Sequence, residues 1–143
     1  MATKLYDPEK VVITWGTALI SGFAEGTFLE ATRDEDAFFK KIGADGEVSR
    51  TRNKNKGGSV TITLLQTSAS NDILSAAQVA DELTGLGVFP LMIKDLLGTT
   101  LLVAPNAWVK KRADAEFAKE QTDREWILDC DQLTGIVGGE LFG

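Results

Sequence analysis

Four cations stand at every second position in the run EVSRTRNKNKGG: Arg50, Arg52, Lys54 and Lys56. Alternate side chains of an extended chain leave the same face, so these four would form a single row of positive charge. No acidic residue lies between Val48 and Asn71 to neutralise that row locally. A row of one sign is costly unless it is solvated or meets an acidic partner, and it can steer that partner and fix its register. A counterpart lies near the other end of the chain. Glu125, Ile127, Asp129 and Asp131 share the parity opposite to Trp126, Leu128 and Cys130, and Asp114, Glu116, Glu120 and Asp123 crowd the segment before them. The chemistry on offer is ion pairing. A chain with a basic protruding hairpin and an acidic sheet face can join head to tail with its own copies, closing into rings or running on as a tube.

Groups suited to covalent or acid–base chemistry are scarce. Histidine is absent, which removes the commonest general base near neutral pH and the commonest metal ligand. Cys130 is the one cysteine, so no intramolecular disulfide can form, a reducing compartment is expected, and its parity with Trp126 and Leu128 makes it a small buried hydrophobe. Asp34, Glu35 and Asp36 cluster after an extended run and read as a solvated turn. Neither GxxxxGKS/T, GxGxxG nor GxSxG occurs. Asp129, Asp131 and Thr134 begin like a calcium loop, but Leu133 takes a liganding position and no glutamate stands at the twelfth. No catalytic, cofactor-binding or metal-ligating residue is assigned, and no enzyme activity is expected.

The elements that must hold these charges are mostly strands. Val11, Ile13 and Trp15 alternate with Val12, Thr14 and Gly16, and the pattern resumes over 18–20, predicting an opening hairpin or bent strand. Residues 27–33 predict a second strand, with Phe28 and Glu30 on one side and Leu29 and Ala31 on the other. Residues 38–42 and 47–52 flank Ala44-Asp45-Gly46, and Asp-Gly between extended runs is a strong hairpin signal. Beyond a turn at 55–58, Val60, Ile62 and Leu64 alternate with Thr61, Thr63 and Leu65 as the clearest strand. Ile73, Ala76, Ala77, Ala80 and Leu83 predict a helix with that stripe buried, capped by Ser70 or Asn71 and followed by Gly85. Residues 88–94, 99–104, 108–111 and 125–131 predict four more strands, separated by Gly98, by Pro105-Asn106 and by a long charged loop. Gly135, Gly138 and Gly139 in GIVGGELFG read as flexible terminal turns.

A chain of 143 residues without repeat, linker or low-complexity tract is expected to be a single domain, 1–143. Its hydrophobic share of 43% and charged share of 25% are those of a globular protein. Strands at short spacing with one helix predict a mainly β (α+β) fold, a β-sandwich or small β-barrel with one flanking helix and a long protruding hairpin. Residues 1–10 carry Lys4, Asp7, Glu9 and Lys10 and no apolar core, so no signal or transit peptide is expected. The longest uncharged stretch falls short of the roughly 20 apolar residues of a spanning helix, so no membrane anchoring is expected. A net charge of −6 argues against a general nucleic-acid coat. The inward faces Val60, Ile62, Leu64 and Trp126, Leu128, Cys130 are apolar, which disfavours a polar ligand pocket inside a barrel.

The run VVITWGTALISGFAEGTFLEATRDEDAFFKKIGADGEVSRTRNKNKGGSVTITLLQTSASNDILSA resembles the tail tube proteins of contractile-tailed bacteriophages, and REWILDCDQLTGIVGG resembles their closing strand. The likeness spans residues 11–139, rests on the order and spacing of segments, and extends in architecture to the tube protein of type VI secretion. It implies a tail-tube-like fold, hexameric rings stacked into a tube, and a lumen of negative potential through which DNA passes without specific binding. It implies that the hairpin 44–58 grips the next ring, making Arg50, Arg52, Lys54 and Lys56 inter-ring candidates. Asp36, Phe38 and Lys40, and the acidic candidates Glu125, Asp129, Asp131, Asp114 and Glu116, face either the lumen or a neighbour. Sheath, baseplate and tail terminator proteins are the other partners implied, with no cofactor, and a place in the virion after assembly in the host cytoplasm. The tube of a DNA-free contractile injection particle, a small β-barrel ligand-binding module and a nucleic-acid binder are the alternatives.

Overall fold

The structure, a computed structural model, describes residues 3–140. A 3-10 turn, Pro8–Lys10, capped by the Asp7 side chain, leads into β1 (Val11–Trp15), β2 (Ala18–Ile20), β3 (Leu29–Arg33), β4 (Phe38–Ile42), β5 (Val48–Arg52) and β6 (Gly58–Leu65). Then come α1 (Ser70–Thr84), β7 (Phe89–Asp95), β8 (Leu101–Lys111), β9 (Asp123–Cys130) and β10 (Thr134–Ile136). The main sheet runs β2-β1-β7-β8-β9-β6-β3, with β10 added against β8, while β4 and β5 form a separate two-stranded ribbon. Its neighbours pair antiparallel, so alternate residues can face a dry core and water, as the alternation along β6 demands.

The inward residues meet in one cluster. Ile13, Trp15, Ile20, Val60, Ile62, Leu64, Leu91, Ile93, Trp126 and Leu128 are all buried, and α1 adds Leu74. The Trp15 ring meets Phe89 edge-on at 5.2 Å, and its indole N–H donates to the Ala107 carbonyl at 3.1 Å, two strands away. The chain between β2 and β3 bends back onto β6, where Phe23 bridges Leu64 and the Ala24 N–H donates to Thr63. The sheet therefore curls round its core without closing as a barrel. Cys130 lies buried within it, and burial, aided by the carboxylates of Asp129, Asp131 and Asp34, pushes its thiol up to about 11.

The helix sits in a different rotation from the expected one. Its buried residues are Ser70 and Leu74, with Ala77 packed beside them, while Ile73, Val79 and Leu83 face solvent, Leu83 at 79% exposure. Leu74 and Leu83 are nine residues apart, an offset of about half a turn at 3.6 residues per turn, so only one can point down. Polar ties choose which. The Ser70 hydroxyl accepts from the Ser21 N–H at 3.0 Å, the Asn71 amide donates to the carbonyls of Leu65 and Ser68, and Asn71 Oδ1 accepts from the Trp126 indole at 2.9 Å. Ser70 and Asn71 are thus spent on the sheet rather than on capping. Ala69 holds the cap position without a side-chain bond, and Ser68 Oγ instead accepts from the Ser70 N–H. The C-terminal end is as expected, with Gly85 at φ 74° donating to the Asp81 carbonyl.

Two further expectations change. Pro105-Asn106 does not end a strand, because β8 runs through it. Against one edge of β8, β10 pairs with Leu101, Leu102 and Val103, and β9 takes over at Ala107. On the other edge the register against β7 slips between Phe89 and Leu91. The missing N–H of Pro105 falls in this gap, where no ladder bond is required. The C-terminal glycines are not loose turns either. Residues 134–136 form β10, a Cβ on Gly135 (φ 134°) would run into the Leu101 carbonyl, and one on Gly138 would run into the Thr99 side chain. Close approach of the β8 backbone leaves no room for a side chain at Gly135, whereas a Cβ on Gly139 would meet nothing within 4 Å. The last three residues of GIVGGELFG lie outside the described residues.

Leu128→Ala, at a fully buried position, should cost about 2–5 kcal/mol in denaturant unfolding, whereas Leu83→Ala should stay within about 0.5 kcal/mol. Equal losses would mean the helix is turned the other way. At pH 8 the native Cys130 thiol should resist iodoacetamide while the denatured protein alkylates readily, as mass spectrometry would register.

Candidate functional site

Every residue of β4 and β5 is exposed, including Phe38, Phe39, Ile42 at 60% and Val48 at 56%. Large apolar side chains gathered on a protruding ribbon mark a surface that awaits a partner. The register pairs Phe38 with Arg52, Lys40 with Arg50 and Ile42 with Val48, which places these six on one face. Lys40 thus stands opposite Arg50, a like-charge pair that disfavours the isolated ribbon. The Arg50 guanidinium lies 4.6 Å from the Phe38 ring centroid, and Arg52 and Lys56 line a crevice of ≈ 280 Å³ with Arg33, Ala37, Phe38 and Asn53. The straight row of four is therefore not what forms. Arg50, Arg52 and Lys56 gather round Phe38, and Lys54 is exposed in the irregular segment 53–57.

The row breaks because the chain leaves the ladder after Arg52 through turns made by its asparagines. Asn53 Oδ1 accepts from the Asn55 N–H, and Asn55 Oδ1 accepts from the Gly57 N–H. Glu35 closes the root of the ribbon. Its carboxylate accepts from the side-chain amides of Asn53 and Asn55, both at 3.0 Å, and these bonds hold its pKa below the usual 4.5. The acidic cluster expected to be a solvated turn is, at Glu35, a clamp. At the tip, the Gly43 N–H donates to the Glu47 carbonyl at 2.7 Å and the Glu47 N–H to Asp45 Oδ1 at 3.1 Å. Asp45 and Glu47 are both exposed, so a basic shaft carries an acidic tip.

The acidic candidates separate into three groups. Glu125 and Asp129 stand on the outer face of β9, opposite Thr63 and Ser59 of β6, with Ile127 between them opposite Thr61 and Glu30 beyond on β3. Asp131 falls after the strand ends. Its carboxylate accepts from the Asn106 side-chain amide at 2.8 Å, which holds its pKa low, and from the Gln132 N–H at 2.7 Å, so it fastens β9 to β8. Asp114 and Glu116 belong to the loop 112–122. Asp114 lines a groove, and the main-chain carbonyl of Glu116 accepts from Arg124 at 2.9 Å while its side chain is exposed.

That groove, ≈ 1220 Å³, has no counterpart among the sequence expectations. Asn71, Ser75, Gln78 and Glu82 of α1 form one wall, and Lys110, Lys111, Arg112 and residues 113–115 form another. Arg124 and Trp126 also line it, the former held by the Thr122 hydroxyl at 2.6 Å and set 5.5 Å from the ring of Phe117, which is 80% exposed. The available signal was the triplet Lys110-Lys111-Arg112, which reads from sequence as a strand end and a charged loop. Hairpin and groove occupy opposite ends of the same strands. The ribbon leaves the sheet at Arg33 and Gly58, in register with Cys130, whereas the groove lies beyond Leu65, in register with Asp123.

Among the described residues, no group of three or more Cys, Asp or Glu side chains is placed to hold a metal ion, and no helix is long and apolar enough to cross a membrane. The family model described as the bacteriophage PhiTE tail tube protein matches residues 13–138. Structural protein ORF10 of Pseudomonas phage KPP10 is 30% identical over 145 residues, which cover 96% of this chain and 84% of that protein. Among solved structures, the tube-terminating cap of the anti-feeding prophage superimposes with a TM-score of 0.60 at 13% identity, over 94% of this chain and 93% of that one. A chain of the PVC extracellular contractile injection system, in its extended sheath–tube complex, gives 0.55 at 13% identity, over 94% and 91%. These two share the fold. The family match takes in the opening hairpin, the protruding ribbon, the helix and the closing strand together, and on that ground the chain belongs to the bacteriophage tail tube protein family, a structural family and not an enzyme family.

Proposed function

We propose that copies of this chain form hexameric rings that stack into the inner tube of a contractile tail, a conduit through which DNA is ejected. The exposed β4–β5 ribbon, with Phe38, Phe39, Ile42 and Val48 uncovered, is the observation that carries this reading. Covering it in the next ring removes apolar surface from water and brings Arg50, Arg52, Lys54 and Lys56 within reach of the carboxylates of Asp114 and Glu116. Ribbon and groove lie at opposite ends of β6 and β9, so the contact is heterologous and repeats without end along one axis. The outer strip of Glu30, Glu125 and Asp129 among serine and threonine is the lumen wall in this reading. Negative charge there repels phosphates and keeps passing DNA from adhering. Sheath, baseplate and tail terminator proteins are the partners outside and at the ends, and the particle is assembled in the host cytoplasm. The fold likeness to injection-system chains favours a DNA-free particle as the second reading, and capsid and terminase genes beside this one would decide for the phage.

Negative-stain electron microscopy of the purified protein across a concentration series should show rings or hollow tubes. The R50E/R52E variant should remain folded by circular dichroism and stay dispersed, and unaltered tubes would remove those residues from the contact. A dispersed wild-type monomer at every concentration would count against self-assembly. The root clamp adds a pH dependence. Because the folded pKa of Glu35 is depressed, its contribution is full above 4.5 and is lost as pH falls through the lowered folded value. Protection of the Asn53 and Gly57 amides against hydrogen exchange, taken relative to the intrinsic rate at each pH, should therefore fall in acid, and Glu35→Gln should flatten that response.

A further inference from the structure

We propose that the groove between α1 and residues 110–117 is the acceptor for the ribbon tip of a second copy, with Asp45 and Glu47 pairing with Lys110, Lys111 and Arg112. The inference rests on the stacking reading and names the surface that receives the ribbon. Placement supports it first. The ribbon leaves one end of β6 and β9, the groove opens at the other, and eight register pairs separate them, a span of about 25 Å at 3.2–3.4 Å per residue. A copy displaced along the strand direction brings its tip to its neighbour's groove.

Charge supports it second, because both partners are zoned. The ribbon is acidic at Asp45 and Glu47 and basic along Lys40, Arg50 and Arg52. The groove holds three consecutive cations, with Glu82 and Asp114 also lining it and Glu116 and Glu120 exposed on the adjoining loop. With the tip on the cations, the basic shaft reaches the acids, so both zones are satisfied at one depth of insertion and only one. Size and chemistry support it third. At ≈ 1220 Å³ the groove exceeds the roughly 300–1,000 Å³ of small-molecule sites, as an acceptor for a protein segment would. Phe117 beside it offers an exposed apolar surface to Ile42 and Val48 next to the tip.

Charge reversal on one partner and then on both tests it. D45K/E47K alone and K110E/K111E/R112E alone should each give folded protein whose tubes fall at least tenfold in yield by sedimentation and microscopy. The variant carrying all five changes should regain tubes, since the pairing is restored with its sign exchanged. Normal tubes from either partial variant, or folded five-fold variant that stays dispersed, would overturn the assignment and leave the stacking reading intact. If the wild-type protein itself forms no tubes, the stacking reading fails first. An equimolar mixture of the two partial variants then decides tip–groove docking by sedimentation, faster-moving complexes supporting it and monomers alone refuting it.

Discussion

The ladder between β6 and β9 is the constraint on which the rest depends. Val60, Ile62 and Leu64 point inward from one strand and Trp126 and Leu128 from the other, and this face is driest where the two strands pair. A slip of one residue would send all five into water, so the register is strongly specified. That register fixes where the ribbon leaves at Gly58 and where β9 begins at Asp123. Positions of the surface features are thus inherited from the core.

A sheet that wraps its own core leaves its whole outer face uncovered. Over β3, β6 and β9 that face is threonine, serine and carboxylate around Ile127, while over β7, β8 and β10 it carries Met92, Leu101, Val103 and Ile136. Apolar residues exposed together in a folded monomer mark surfaces suited to association. Charge is divided in the same way. The segment 57–93, which includes all of α1, has no lysine or arginine, whereas the ribbon before it and the strand end at 110–112 are basic. Such segregation lets a small protein of net charge −6 make oriented contacts that a uniform surface would not.

Much of this is legible in the sequence alone. Alternation placed β1, β3, β6 and β9, and the Asp-Gly turn placed the ribbon, because both are local signals set by side-chain period and backbone conformation. Helix rotation was not legible. The 3.6-residue period fits two overlapping stripes that share Ala77, and the choice between them lies in the bonds of Ser70 and Asn71 to strands far away in sequence. Pro105 and the terminal glycines misled for a related reason. Residues that usually end structure are used here where a strand changes partner or where two backbones nearly touch. The groove escaped because it belongs to neither α1 nor the loop 112–122 alone.

Having ribbon and groove at opposite ends of β6 and β9 also fixes how the molecule bears a mechanical load. A push or pull applied between those ends runs along the strands, and the β6–β9 ladder meets it in shear, with all eight register pairs resisting together. A force across the strands would open the same hydrogen bonds one after another. The molecule is therefore stiffest along the direction that joins the ribbon to the groove.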